Sequence, residues 1–119
     1  MKIAVLGALG MQGRAAVRDL ARSPHVREIL CADRDLRGWE GLAAGIDTGR
    51  ITPVPLDASS PAELVGLLRG VDAAIDLLPL AFMENAFEAA IEARVPLVST
   101  NYGGPIRRLD ARARQRGVS

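Results

Sequence analysis

Two rhythms of apolar and polar positions alternate along this chain. Short, nearly continuous apolar runs fall at 2–7 (KIAVLG), 28–33 (EILCAD), 51–56 (ITPVPL), 71–78 (VDAAIDLL) and 96–100 (PLVST). Runs of this length that stay apolar on successive residues predict strands buried on both faces. Between them lie longer stretches in which apolar residues return every three or four positions, the period of a helix with one buried face. These predict helices over 11–22, 36–46, 60–70, 81–94 and 106–116.

The punctuation agrees with the rhythm. Ser23-Pro24-His25 closes the first helix, because a residue before proline avoids the helical region. Within that helix Met11, Ala15 and Leu20 are among the apolar positions. Gly38, Gly41 and Gly45 weaken the second helix. Pro53 and Pro55 suggest that the third strand is an edge or irregular strand, since proline cannot donate to a ladder. Ser60-Pro61-Ala62-Glu63 reads as a capping box with proline in the first helical position. Met83, Phe87 and Ile91, flanked by Phe82, Ala86 and Ala90, form a two-row core stripe on the fourth helix. Strand and helix alternating in this way predict an α/β fold: a doubly wound parallel sheet, Rossmann-like, with helices on both faces and right-handed crossovers.

Composition adds limits. The 119 residues make one domain, 49% of them hydrophobic, enough for a buried core with few aromatics. A net charge of +1 gives no pull toward nucleic acid or an acidic membrane surface. Lys2 is the only lysine among the basic residues, which reads as genome composition. The lone Cys31 has no partner for an internal disulfide, and no run reaches the length of a membrane span. The N-terminus lacks the pattern of a signal peptide. A cytoplasmic protein with a buried, inert thiol is the expectation. One histidine and one cysteine leave no metal-ligand set and no Ser/His/Asp or Cys/His constellation, and His25 sits alone in a turn. Asp76, inside the fourth strand, reads as a hydrogen-bonded structural residue.

The candidate chemistry lies in the first strand-to-helix turn, G7-A-L-G10-M-Q-G13. In a doubly wound sheet this turn faces the ligand crevice at the carboxyl edge. Gly7 lets the chain leave the strand sharply, Gly10 lets backbone N–H groups approach a pyrophosphate, and Gly13 lets the helix pack closely. The helix N-terminus offers unpaired N–H groups and partial positive charge to an anion. A second strand then ends in an acid, Asp33, 20 residues after Gly13, as a dinucleotide fingerprint requires. The spacing has one residue more than G-x-G-x-x-G, and no Gly-Lys-Ser/Thr of a triphosphate loop follows. The expected cofactor-binding residues are Gly7, Ala8, Gly10, Met11, Gln12, Gly13, Asp33, Arg34, Asp57, Leu78, Pro79, Thr100 and Asn101. Leu78 and Pro79 are expected beside the middle of the cofactor or as a plain strand end, Asp57 near adenine or helping to cap the Ser60 helix, and Thr100 and Asn101 near the nicotinamide ribose or as ordinary turn residues. Asp33 is expected to accept both adenosine ribose hydroxyls and so to select NAD over NADP, with Arg34 over the adenine face or in solvent.

Four stretches together, VLGALGMQGRAAVRDLA, ILCADRD, VDAAIDLLPLAFMENAFEAAIEARVPLVSTNY and RRLDARARQRGV, resemble the amino-terminal domain of the saccharopine dehydrogenase-like enzymes. GMQGRAAVRDLA looks particularly like the lysine 6-dehydrogenase branch. Arg94 stands where that family usually has glycine, and Asn101 stands near its serine. The resemblance implies a nicotinamide-dependent oxidoreductase acting on a C–N bond of an amino acid. It also implies a second domain that supplies substrate contacts and homodimerisation, so that this chain is the cofactor domain cut from a longer enzyme, with catalytic residues outside it. The competing reading is a regulatory nucleotide-sensing domain of the same fold that does no chemistry. A weaker one is another reductase with the same glycine turn, and the short-chain type lacks support because its Tyr-x-x-x-Lys pair is absent.

Overall fold

The computed structural model describes residues 1–99. The sequence's 106–116 helix and its Thr100 and Asn101 lie outside the described residues. Five parallel strands, β1 (Lys2–Leu6), β2 (Glu28–Asp33), β3 (Ile51–Pro55), β4 (Ala73–Asp76) and β5 (Leu97–Ser99), form one sheet in the order β3-β2-β1-β4-β5. The helices are α1 (Met11–Ala21), α2 (Trp39–Ala43), α3 (Pro61–Leu68) and α4 (Met83–Ala93), the last preceded by a 3₁₀ turn over Leu80–Phe82. The strand order reverses beside β1, between β2 and β4. In open parallel sheets ligands bind at such a switch point, outside the carboxyl ends of the strands.

Side-chain alternation divides the core between the two faces of the sheet. Ile3 and Val5 of β1 join Ile29 and Cys31 of β2 in a cluster with Val17 of α1 and Leu42 of α2. Ala4, Leu6 and Ala32 face the other way, onto Leu64 and Leu68 of α3 and Ala86, Ala89 and Ala90 of α4. The fold is thus a doubly wound Rossmann-like sheet, as the strand–helix rhythm implies. The small Ala86, Ala89 and Ala90 pack α4 onto this face and against α3. Val17 alone, fully buried, contributes about 1.5–3 kcal/mol of apolar transfer. Burial pushes the Cys31 thiol up to about 12.

Several elements differ from the sequence-based expectation. On α1 the buried residues are Gly13 and Val17, whereas Met11 and Ala15 are exposed. Helix α2 shrinks to five residues, because its glycines leave little to favour a helix. Strand β4 is shorter at both ends: Val71 closes the turn after α3 through its N–H to the Leu68 carbonyl, while the flanking Asp72 and Leu77 N–H groups still donate to the Lys2 and Leu6 carbonyls of β1. On α4 the core stripe holds at Met83, Ala86, Ala90 and Ile91, with Ala89 added and Phe87 only partly buried. Strand β3 is the sheet edge, where Pro53 and Pro55 cost no ladder bond on the open side. Ser60 caps α3 by accepting the Glu63 N–H at 3.3 Å. Glu63 does not close the box on Ser60; its Oε1 accepts the Asp57 N–H at 3.5 Å, while the Ser60 N–H goes to the Asp57 carbonyl. Arg94 ends α4 in the left-handed region (φ 57°, ψ 45°), a conformation glycine adopts more readily.

Candidate functional site

The turn after β1 is built around two glycines that no other residue can replace. Gly7 has φ +80°, and a Cβ there would lie 2.7 Å from the Leu77 carbonyl oxygen of the neighbouring strand end. A Cβ on Gly13 would lie 2.7 Å from Ala8 backbone atoms and nearer still to the Gly7 oxygen. The helix therefore packs against the turn itself, one step beyond the strand. Gly10 is different: a Cβ there would meet only the Gly7 oxygen, at an ordinary 3.5 Å. The fold does not require glycine at this position, yet Gly10 lines a cavity. It is also the N-cap of α1, in extended conformation and with no side-chain cap.

The donors that the turn presents follow from its hydrogen bonds. The Gly7 and Ala8 N–H groups both donate to the Ala32 carbonyl, at 2.9 and 3.1 Å, and the Gly10 N–H donates back to the Gly7 carbonyl at 3.2 Å. None of these three is available to a ligand. The first residues inside α1 are Met11 and Gln12, whose N–H groups have no carbonyl a turn earlier to receive them. Both residues are exposed. An anion at this helix end would therefore meet the Met11 and Gln12 N–H groups, with Gly10 providing the clearance.

A cavity of about 620 Å³ opens at this carboxyl edge. It brings Gly7 and Gly10 together with Asp33 and Arg34 after β2, Asp57 after β3, and Leu78 and Pro79 after β4. Ala8 and Gly13 are buried behind it, and Met11 and Gln12 sit at the exposed helix end beside it. The Asp33 carboxylate is held in place: its Oδ2 accepts the Leu9 N–H at 3.0 Å and its Oδ1 the Asp35 N–H at 3.4 Å. Asp57, after the adjacent β3, accepts the Ser59 N–H at 3.0 Å and the Ser59 hydroxyl at 2.6 Å. These bonds, with a smaller contribution from the Arg34 charge, hold its carboxyl below the usual carboxylate range. Asp57 is therefore ionised at neutral pH. Two carboxylates and one guanidinium line this end of the cavity, a net negative wall.

At the other side, the end of β4 is shaped by Asp76, which is fully buried. Its Oδ1 accepts the Leu78 N–H at 3.0 Å and its Oδ2 the Ser99 hydroxyl at 2.8 Å. The structural role expected of Asp76 is borne out: it turns the chain at Leu78 and ties β4 to β5. The exposed Pro79 follows. Leu56, Ala58, Ser59, Leu77 and Phe82 also line the cavity and carry no motif. Their only sequence signal is position, just past the ends of strands that point at the same edge. Among the described residues no group of His, Cys, Asp and Glu is placed to hold a metal ion, and no helix is long and apolar enough to cross a membrane.

This geometry has known counterparts. The structure of apo saccharopine dehydrogenase (L-Glu forming) from Saccharomyces cerevisiae matches 99% of this chain with a TM-score of 0.85 at 24% identity. Pen from Bacillus thuringiensis matches 82% of the chain with a TM-score of 0.73 at 13% identity, over 37% of its own length. A mutated uronate dehydrogenase matches 82% with a TM-score of 0.64 at 21% identity, over 38% of its length. At these identities the likeness is one of fold. The chain spans about a quarter (26%) of the yeast enzyme. Residues 3–119 match the family described as saccharopine dehydrogenase NADP binding domain. With its glycine turn, its strand order and a cavity at the switch point, this chain belongs to the family of saccharopine dehydrogenase NADP-binding domains.

Proposed function

We propose that this chain is the cofactor domain of a longer oxidoreductase that acts on a C–N bond of an amino acid of the lysine or saccharopine type, and that it takes NAD in preference to NADP. Family membership supports a nicotinamide dinucleotide as the ligand, and the residues present fit one. Met11 and Gln12 N–H groups receive the pyrophosphate at the start of α1. Asp33 takes the adenosine ribose, Arg34 and Asp57 flank adenine, and Leu78 and Pro79 lie along the middle of the molecule. The bound cofactor supplies hydride transfer. The side chains that act on substrate, and a dimer interface, belong to a second domain in this reading.

The observation that carries the cofactor preference is the anchored carboxylate of Asp33 on the cavity wall. A 2′-phosphate beside it would face a fixed negative charge. At ~4 Å and an effective dielectric of ~20, one such pair repels by about 4 kcal/mol, and a screened fraction of that suffices to choose. Arg34 is the counterweight, but its charge also meets Asp57. The family's description names NADP, so competitive titration of the unmutated chain with both dinucleotides is the decisive test. NAD is expected to bind more tightly. Asp33→Ser is expected to weaken NAD and to strengthen NADP relative to it, with Arg34 then able to pair with the phosphate. Tighter NADP binding by the unmutated chain would overturn the preference.

A further inference from the structure

The glycine turn contains one residue more than the usual spacing, and both backbone groups of Leu9 are held by side chains. Its N–H donates to Asp33 Oδ2 at 3.0 Å. Its carbonyl accepts from Arg14 Nε at 3.0 Å. Arg14 lies on the first turns of α1 and is not among the residues that line the cavity. Its guanidinium crosses to Gly38, the residue before α2. A Cβ on Gly38 would overlap Arg14 Nη2 and would also come within 3.9 Å of the Leu9 side chain. The space that a side chain at 38 would fill is thus occupied by Arg14. This gives a role to one of the glycines that shorten α2.

We propose that Arg14 is a positioning residue of the dinucleotide site: it clamps Leu9 from the side opposite Asp33, and Gly38 is the vacancy that admits it. The clamp acts through Leu9 in two directions. It fixes the peptide that leads into Gly10 and the helix N-terminus, and it keeps the Leu9 N–H aimed at the Asp33 carboxylate. Arg14 therefore sets the shape of the pyrophosphate end and the orientation of the ribose acceptor without touching the ligand. The inference rests on the dinucleotide reading and deepens it.

The test uses the 119-residue chain and four variants, Arg14→Ala, Arg14→Lys, Gly38→Ala and the Arg14→Ala/Gly38→Ala double, with NAD titrated by calorimetry and unfolding midpoints measured without ligand. Loss of a charge-assisted bond that orders the site predicts about tenfold weaker NAD binding by Arg14→Ala, with a ligand-free midpoint close to the parent's. Arg14→Lys keeps the charge but not the branched donor group, and is expected to remain impaired. Gly38→Ala is expected to weaken binding by displacing the guanidinium, and to have no further effect in an Arg14→Ala background. That non-additivity is a readout that general destabilisation does not produce. NAD affinity unchanged in Arg14→Ala, full recovery in Arg14→Lys, or additive effects of the Arg14 and Gly38 changes would each overturn the positioning role. Failure of the unmutated chain to bind any dinucleotide would instead overturn the reading of the site, and the clamp with it.

Discussion

Burial decides the chemistry of Cys31, the single thiol of the chain. It is fully buried between β2 and the helices on the α1 side, and desolvation raises its pKa from 9.0 to about 12. A folded-state pKa above the unfolded one means that the native protein keeps its thiol proton where the unfolded chain has released it. The associated stability is whole below pH 9 and is lost progressively as pH rises toward about 12. In that window stability is expected to fall by about 1.4 kcal/mol per pH unit more in the parent than in Cys31→Ala, which has no thiol to titrate. Chemical denaturation at stepped pH checks this. Equal slopes in the two proteins would mean that water reaches the thiol. At this same scale Asp76 shows why a carboxylate can sit in a strand: its oxygens take the Leu78 N–H and the Ser99 hydroxyl, so burial leaves no acceptor wasted.

At the scale of elements the β1–α1 unit separates the demands of folding from those of binding. Gly13 is where helix meets turn, and any Cβ there strikes backbone, which cannot rotate away. Gly13→Ala is expected to cost about 3 kcal/mol or more, a large part of a small domain's stability. Gly10→Val places its Cβ in ordinary contact, 3.5 Å from the Gly7 oxygen, and is expected to fold, losing about 1 kcal/mol at the cap position, yet to bind NAD at least tenfold more weakly because the side chain stands over the helix N-terminus. Thermal unfolding and calorimetry on the pair check both halves. A Gly10→Val protein that binds like the parent would move the pyrophosphate elsewhere. The strong periodic elements, α1, α4 and β1, were legible in the sequence to within a residue or two. The weak one was not: α2 fell short because glycine-rich sequence carries apolar spacing without helical stability.

For the whole molecule the question is what the domain does alone. It spans about a quarter of the yeast enzyme, and the titratable residues lining the described cavity, Asp33, Arg34 and Asp57, come from the ends of β2 and β3, the part of the site proposed for adenosine. The 119-residue chain is therefore expected to bind dinucleotide and to give no cofactor reduction when supplied with lysine, saccharopine or related amines. Steady-state assays by cofactor absorbance check this, and turnover by the chain alone would overturn the proposal that it is the cofactor domain of a longer enzyme.

Read by itself, the sequence determined the strand–helix alternation, the glycine turn and the acid at the end of β2, because each is a local pattern legible along the chain; the family came from the resemblance of whole stretches. Gly7, Gly10, Asp33, Arg34, Asp57, Leu78 and Pro79, expected together from the sequence, line one cavity because the sheet brings all strand ends to one edge. Which N–H groups the turn leaves free was decided only by the tertiary structure: Gly7, Ala8 and Gly10 spend theirs on Ala32 and Gly7 itself, so Met11 and Gln12 carry the open donors. The clamp on Leu9 likewise joins residue 9 of the glycine turn, 14 of α1, 33 of β2 and 38 before α2. No spacing along the chain encodes such a contact; it exists because parallel strands place the starts of α1 and α2 side by side, where an arginine from one meets a glycine before the other.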